Sequence, residues 1–502
     1  MPRHTVRSGI ALLCLLTALS ARAADAPPAF GEASEPIDLS GAVTLQNCVG
    51  LALGRNFTVR IQQFQVFEAV DSVEIQKAAF EPTLTFNANK AVTQEASDEL
   101  IEYGIAPYSN LETAAFSVND TLVTGATLQA GYSLVRSDYN PAYAPPNPSF
   151  ASTASITVTQ PLLQGAGMDY NRAEIERARL GVRISNLNFK SAVLTMILNV
   201  ETTYYNLLYQ REQYKVQEEE LKQAQQLLDE NTLKRQTGTL TDLDVMNARA
   251  GVASAQNQLI LDKQFVQNGE DSLLQLLGDR RFSTSVGEID FPAVGEPEVS
   301  FDRSYKLARD DGPNLAAAQA TIEQFKLDAL RAKRNTLPTL NVNGGLGYNS
   351  YAATAGQSVT GAWGGYNWTG GLTLIIPWGM HANRALYHQT ESQVRSQEAT
   401  YEQTDQGLVV AVRSAVRGVE ASIESVRASS ENTKFAEKAY ELTKAQFDAG
   451  LATSYLVLQA QNTLETARVS ELQAKVNLLV AVANLRFYEG SSLQLYRINL
   501  PE

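Results

Sequence analysis

The feature that most restricts this chain is that it is written twice. Pro82-Thr83-Leu84-Thr85-Phe86-Asn87 recurs as Pro338-Thr339-Leu340-Asn341-Val342-Asn343 at an offset of 256 residues. Gly167-Met168-Asp169-Tyr170-Asn171-Arg172-Ala173 recurs as Gly379-Met380-His381-Ala382-Asn383-Arg384-Ala385 at an offset of 212, which then holds without a gap for about 80 residues and pairs Gly238 with Gly450 and Thr241 with Thr453. Self-similarity of this kind means one supersecondary unit used more than once. Because the offsets differ by 44, copy one carries 44 extra residues between its proline and its Gly-Met motif. The helical parts match; the strand parts do not.

Each copy reads as helix, strands, long helix, break, helix. From Asn171 to Thr237 and from Asn383 to Ala449 there is no proline and little glycine, and Leu, Glu, Gln, Ala and Lys dominate, which favours helix. At 1.5 Å rise per residue each run predicts a rod roughly 100 Å long, which must lie against neighbours along its length. In copy two Val409, Val412, Val416, Val419, Ile423 and Val426 alternate spacings of 3 and 4, the pattern of a coiled-coil seam. In copy one the same register reads Ile197, Val200, Tyr204, Leu207, Arg211 and Tyr214, interrupted at Arg211. Both rods end at a glycine, Gly238 or Gly450, with Thr241 or Thr453 placed to cap the next helix. Each copy therefore predicts a helical hairpin with a tight tip.

The strand regions alternate with period two. Ala154, Ile156 and Val158 interleave with Thr153, Ser155, Thr157 and Thr159, and Trp368, Gly370, Leu372 and Leu374 show the same alternation in copy two. An apolar face backed by small polar residues suits a transmembrane barrel with a wet lumen, and equally an antiparallel soluble sheet. Periodicity leaves both open.

Residues 1–23 carry Arg3, His4 and Arg7 before the apolar run Ile10 to Leu19, then Ala21-Arg22-Ala23, and read as a secretory signal. No later segment offers the about 18 consecutive apolar residues of a membrane helix, so entry into a membrane would use strands. Leu13 stands where lipidation of Cys14 would need a small residue, and Cys48, alone in the mature chain, reads as a small buried helix residue. The formal net charge is -13, or about -16 once Arg3, Arg7 and Arg22 are removed, and no basic, aromatic-interleaved patch is present, which argues against nucleic acid. Three histidines occur, His4, His381 and His388, without a carboxylate cluster, Ser-His pairing or phosphate loop. No catalytic residue, cofactor or metal site is expected, and His381 and His388 read as a solvated helix face.

Signal, duplicated helix-strand-long-helix units, a proline at each strand entry and glycine-turned hairpins together resemble the TolC family of outer-membrane efflux proteins, from about Ser40 to Gly490. The resemblance implies a mixed α and β homotrimer: tandem-duplicated long α-helical hairpins forming a periplasmic α-barrel, and antiparallel strands forming a shared transmembrane β-barrel. It implies an outer-membrane location with helices extending into the periplasm, contact with outer-membrane lipid, and passage of substrate outward. The implied partners are a periplasmic adaptor (membrane-fusion) protein and an inner-membrane pump of RND, ABC or MFS type.

By the same resemblance the hairpin tips meet the adaptor and close the duct: Gly238, Thr239, Leu240 and Thr241 in copy one, Gly450, Leu451, Ala452 and Thr453 in copy two. Where several members place paired aspartates that narrow the pore, copy two has Leu456 and Gln459, while copy one keeps Asp244 one turn before Asn247. Three copies of Asp244 facing one axis would hold cations; alternatively Asp242 and Asp244 favour a helix N-terminus. Phe447 replaces a tyrosine that in some members hydrogen-bonds across the tip, so that latch cannot form. The cargo is not legible.

The expected layout is a signal peptide at 1–23, a linker at 24–43, a first repeat at 44–280 (strands about 83–161, hairpin about 169–280), a linker at 281–299, a second repeat at 300–490 (strands about 339–377, hairpin about 381–488) and a tail at 491–502. In the 44-residue excess, 112–122 and 126–136 read as strands joined at Val123-Thr124-Gly125-Ala126. They either join the barrel, giving 18 strands per trimer in place of the family's usual 12, or form an extracellular elaboration around Pro141, Pro145, Pro146 and Pro148. The second is the expectation. A periplasmic adaptor, or another coiled-coil envelope-spanning protein, is the alternative reading of the whole chain.

Overall fold

The structure, a computed structural model, describes residues 39, 41, 43–94, 108–140, 146–279, 286–289, 292, 297–361, 364–498 and 500. The expected signal, with Cys14, and Pro141 and Pro145 lie outside the described residues. In chain order come α1 (Leu45–Arg55), α2 (Phe57–Lys77), β1 (Thr83–Gln94), β2 (Tyr108–Thr121), β3 (Thr127–Asn140), β4 (Ser149–Pro161), α3 (Met168–Gln236) and α4 (Asp242–Leu276). Then follow α5 (Phe301–Asp311), α6 (Pro313–Arg334), β5 (Thr339–Ala352), α7 (Ala355–Thr360), β6 (Gly364–Ile375), α8 (His381–Asp448), α9 (Ser454–Glu489) and α10 (Ser492–Leu495).

The duplication is visible in individual hydrogen bonds. After α3 the Gly238 N–H donates to the Arg235 carbonyl at 2.9 Å and Thr239 N–H to Lys234 at 2.9 Å; after α8, Gly450 donates to Phe447 at 3.0 Å and Leu451 to Gln446 at 2.8 Å. Both glycines hold φ near 80°, at 79° and 77°, the left-handed turn that closes a helix end. Thr241 and Thr453 then cap α4 and α9. The rods α3 and α8 have 69 and 68 residues, so each is about 100 Å long.

The seams bury as their spacing predicts. Ile197, Val200 and Leu207 are fully buried, as are Val412 and Val419. Arg211, the interruption, is committed to a polar contact instead, because its guanidinium binds Glu270 and the carbonyls of Val286 and Gly287. It thereby pins a strap whose Gly287 and Glu288 exchange backbone hydrogen bonds with Leu39 and Val43. Below the strap lies the main core, where Cys48 and Val49 of α1 meet Leu207, Leu273 and Leu277. Cys48 is a buried free thiol. Glu201 is wholly buried there and accepts the Tyr496 hydroxyl at 2.6 Å, anchoring the C-terminal segment on α3.

All six strands form one antiparallel sheet in the order β1-β2-β3-β4-β5-β6. This corrects the expectation for the 44-residue excess. β2 and β3 pair with each other over 14 residues, β2 pairs with β1 over 12 and β3 with β4 over 11; they are wall, not an external elaboration. Their turn is locked at the helical end of the sheet. Leu122 N–H donates to Ala126 O at 2.7 Å, Gly167 N–H donates to Thr124 O at 3.2 Å, and a Cβ on Gly125 (φ 89°) would lie 2.3 Å from the Gly165 carbonyl. The physical reason is room: the strands nearly match their neighbours in length, so most of the backbone N–H and C=O groups along them find a partner in the sheet.

Candidate functional site

The sheet has two unlike faces. On the even-numbered face the cross-strand row Phe86, Phe116, Tyr132, Ala154, Tyr348, Tyr366 is aromatic at five of six places, and the next row toward the helices is Leu84, Val118, Ala130, Ile156, Leu346, Trp368. Among the described residues most of these side chains stand uncovered, Leu346 at 69% and Trp368 at 72% exposure, while the Tyr348 hydroxyl donates to the Gly361 carbonyl at 3.0 Å. Trp378, just past β6 at the helical end, is also bare. An uncovered apolar face rimmed by aromatics belongs against lipid, which decides between the two readings that the alternation allowed.

The odd-numbered face is mostly Thr, Ser, Asn, Gln and Gly, with Leu111, Val135, Tyr351 and Ile375 among the larger apolar or aromatic exceptions. One of its rows reads Thr85, Ser117, Gly131, Ser155, Gly347, Asn367. Every charged residue of the six strands, Lys90, Glu112, Asp120, Arg136 and Asp138, falls on the other face. Glu112 there accepts from Lys90 at 2.7 Å and Arg136 at 3.1 Å, near the ends of the strands remote from the helices. The lumen-side surface is wet and uncharged.

At the opposite end the two hairpin tips pack into one surface. Leu240 and Ala452 close over a small core of Leu227, Phe447 and Val457, leaving Gly238, Thr239, Thr241, Gly450, Leu451 and Thr453 exposed. The Asp244 carboxylate accepts from the Thr241 N–H at 3.0 Å and the Thr241 hydroxyl at 2.6 Å, completing a capping box on its own helix. Asn247 is half-buried on α4, and Leu456 and Gln459 stand exposed on α9.

Sequence reasoning missed the residues that join the tips. Asn231 is buried and its amide donates to the Ser454 hydroxyl at 2.6 Å and the Asp244 carbonyl at 3.3 Å. The Lys234 ammonium sits 3.8 Å over the Phe447 ring. A signal was available in the 212-residue offset, which equates Phe447 with Arg235 and Ser454 with Asp242. In copy one those two form an ion pair at 2.6 Å that closes their own hairpin. In copy two the same positions turn to the other hairpin, Phe447 to Lys234 and Ser454 to Asn231.

A third feature lies along the rods, where α3 and α4 bury Glu220 and Asp262 and α9 brings the half-buried Glu465 beside them. Burial, followed by the charge of Glu465, pushes Glu220 up to about 7 against the opposing hydrogen bond of Gln461. Burial raises Asp262 despite the Gln258 amide, and burial together with Asp262 raises Glu465. Since the folded pKa of Glu220 exceeds its ordinary 4.5, the native state holds the proton longer than the unfolded chain. The stability it contributes is full below about pH 4.5 and lost as pH rises through about 7. Glu220→Gln is accordingly expected to stabilise the protein at pH 8 by about 3 kcal/mol per chain and to flatten the fall in denaturation midpoint between pH 5 and 7. Unchanged pH dependence in denaturant titrations of the purified protein would remove Glu220 as its cause.

The model of the family "Outer membrane efflux protein" matches residues 48–279 and 304–491. The chain therefore belongs to the outer membrane efflux protein family. The outer membrane protein TolC of Vibrio cholerae is 24% identical over 381 residues, spanning 74% of this chain and 83% of that protein. The pyoverdine export outer membrane protein OpmQ of Pseudomonas putida is 24% identical over 327 residues, spanning 64% of this chain and 66% of its own length. Among solved structures, that of CusC, studied for transmembrane channel formation, superposes with a TM-score of 0.69 at 14% identity, covering 92% of this chain and 95% of that one. The sheet is the outer-membrane section and the rods are periplasmic.

Proposed function

We infer that three copies of this chain close into one envelope-spanning channel, the exit duct of a tripartite efflux or type I secretion system. The observation that carries this reading is the single sheet with an apolar, aromatic-rimmed face, an uncharged polar face and two edge strands, β1 and β6, that have no further partner among the described residues. A lone sheet of this kind in a bilayer leaves a row of unsatisfied backbone groups at each edge, and only closure removes them. Three sheets joined edge to edge satisfy that requirement while the rods beneath pack into a ring. The exposed tips, capped and turned alike in both copies, suit a periplasmic adaptor that bridges to an inner-membrane pump.

Fractionation of cells making the full chain, followed by native mass measurement of the detergent-extracted protein, tests this. The expected result is a trimer in the outer-membrane fraction. A monomer released with the soluble periplasmic contents would overturn it and favour an adaptor-like role.

A further inference from the structure

A barrel's bore follows from how many strands each protomer supplies, and among the described residues here that number is six. At about 4.8 Å between strands and a tilt of about 40°, eighteen strands enclose a cylinder roughly 36 Å across at the backbone, while twelve enclose roughly 24 Å. In each protomer four helices, α2, α3, α6 and α8, pack side by side and run to or from the sheet. Twelve such helices at about 10 Å spacing form a ring roughly 39 Å across. Eighteen strands therefore continue the helical ring at nearly its own width, whereas twelve would narrow it.

The lining removes the other means of selection. The lumen-side rows carry mainly hydroxyls, amides and glycines, and the Asp, Glu, Lys and Arg of the described strands all lie on the opposite face. Gly345 and Gly347 of β5 leave space that the side chains of Thr369 and Asn367 on β6 lean into, so the wall stays thin where these strands meet.

We propose that the trimer closes an 18-stranded barrel whose strand-built lumen face carries no charge and admits bulky hydrated solutes irrespective of their charge. The inserted hairpin β2–β3 is what widens it. This rests on the trimeric-channel reading above, and the test separates the two.

Thr157 and Thr369 lie on the lumen side of β4 and β6. They are converted singly to cysteine in the full chain; the native Cys48 is buried and stays silent. Intact cells are then exposed from outside to a small maleimide, to a maleimide-polymer about 20 Å across, narrower than the expected bore, and to methanethiosulfonates bearing a cation or an anion. Both cysteines are expected to react with the polymer within about threefold of the small reagent, and with the two charged reagents within about threefold of each other. Exclusion of the polymer, or a more than tenfold preference for one charge, overturns the proposal. Electron cryomicroscopy of the unsubstituted trimer gives the independent count, eighteen strands expected and twelve fatal. Should the native mass show no trimer, the channel reading itself fails, a result distinct from a trimer with a narrow or charge-selective barrel.

Discussion

Replacing Ile156 with arginine is expected to keep the protein out of the outer membrane, while the same substitution at the next residue, Thr157, leaves assembly intact. Ile156 lies in the middle of β4 between Ala130 and Leu346 on the bare apolar face. Arginine facing lipid near the midplane costs about 2–4 kcal/mol, and threefold symmetry triples this to about 6–12 kcal/mol per trimer. Thr157 points to the other face, opposite Gln129 and Gly345, where an arginine stays hydrated. The amount of heat-resistant trimer recovered from outer membranes measures both. Recovery of the Ile156 variant with loss of the Thr157 variant would show that the faces are assigned the wrong way round, and equal recovery of the two that the sheet meets no lipid.

That pair of substitutions rests on an alternation that was legible in the sequence, and the same holds for most of the fold. The rods were readable because their helix-favouring composition runs unbroken for some 67 residues and stops at a glycine with a capping threonine three residues on. The strands were readable as strands. What periodicity does not encode is partnership, because an inserted hairpin has the same alternation whether it lies in a wall or stands outside it. The fate of β2 and β3 was settled by the turn at Gly125, whose fit against Gly165 and Gly167 is a tertiary contact.

The tips were less legible for a related reason. Asp244 was visible as an acid near a helix start, and the structure gives its carboxylate to Thr241. Asn231 and Lys234 looked like ordinary polar residues of a rod, since nothing local to them announces a partner on another hairpin some 220 residues away. The duplication held the hint, because an ion pair in one copy facing an aromatic and a serine in the other marks positions under different demands. The outcome is a joint that differs between the copies, with copy two contributing the residues that cross over.

Because Phe447 is the buried centre of that joint, at 4% exposure, Phe447→Ala is expected to uncouple the two hairpins and open the tips. Truncating a buried phenylalanine costs about 3–5 kcal/mol, and the Lys234 ammonium loses the ring beneath it, worth about 0.5–1 kcal/mol. If about 2 kcal/mol of this total acts only in the closed arrangement, the ratio of open to closed tips rises about 30-fold. Single-channel conductance of the trimer in planar bilayers should then rise several-fold. Asn231→Ala, which removes the bond to Ser454 from the same joint, should move conductance the same way by less. The double variant should fall short of the sum of the two, as residues sharing one interface do. If Phe447→Ala instead lowers the melting temperature while conductance stays at the wild-type value, the joint holds the fold together and the constriction lies elsewhere. The exposed pair Leu456 and Gln459 on α9 would then be the next residues to vary.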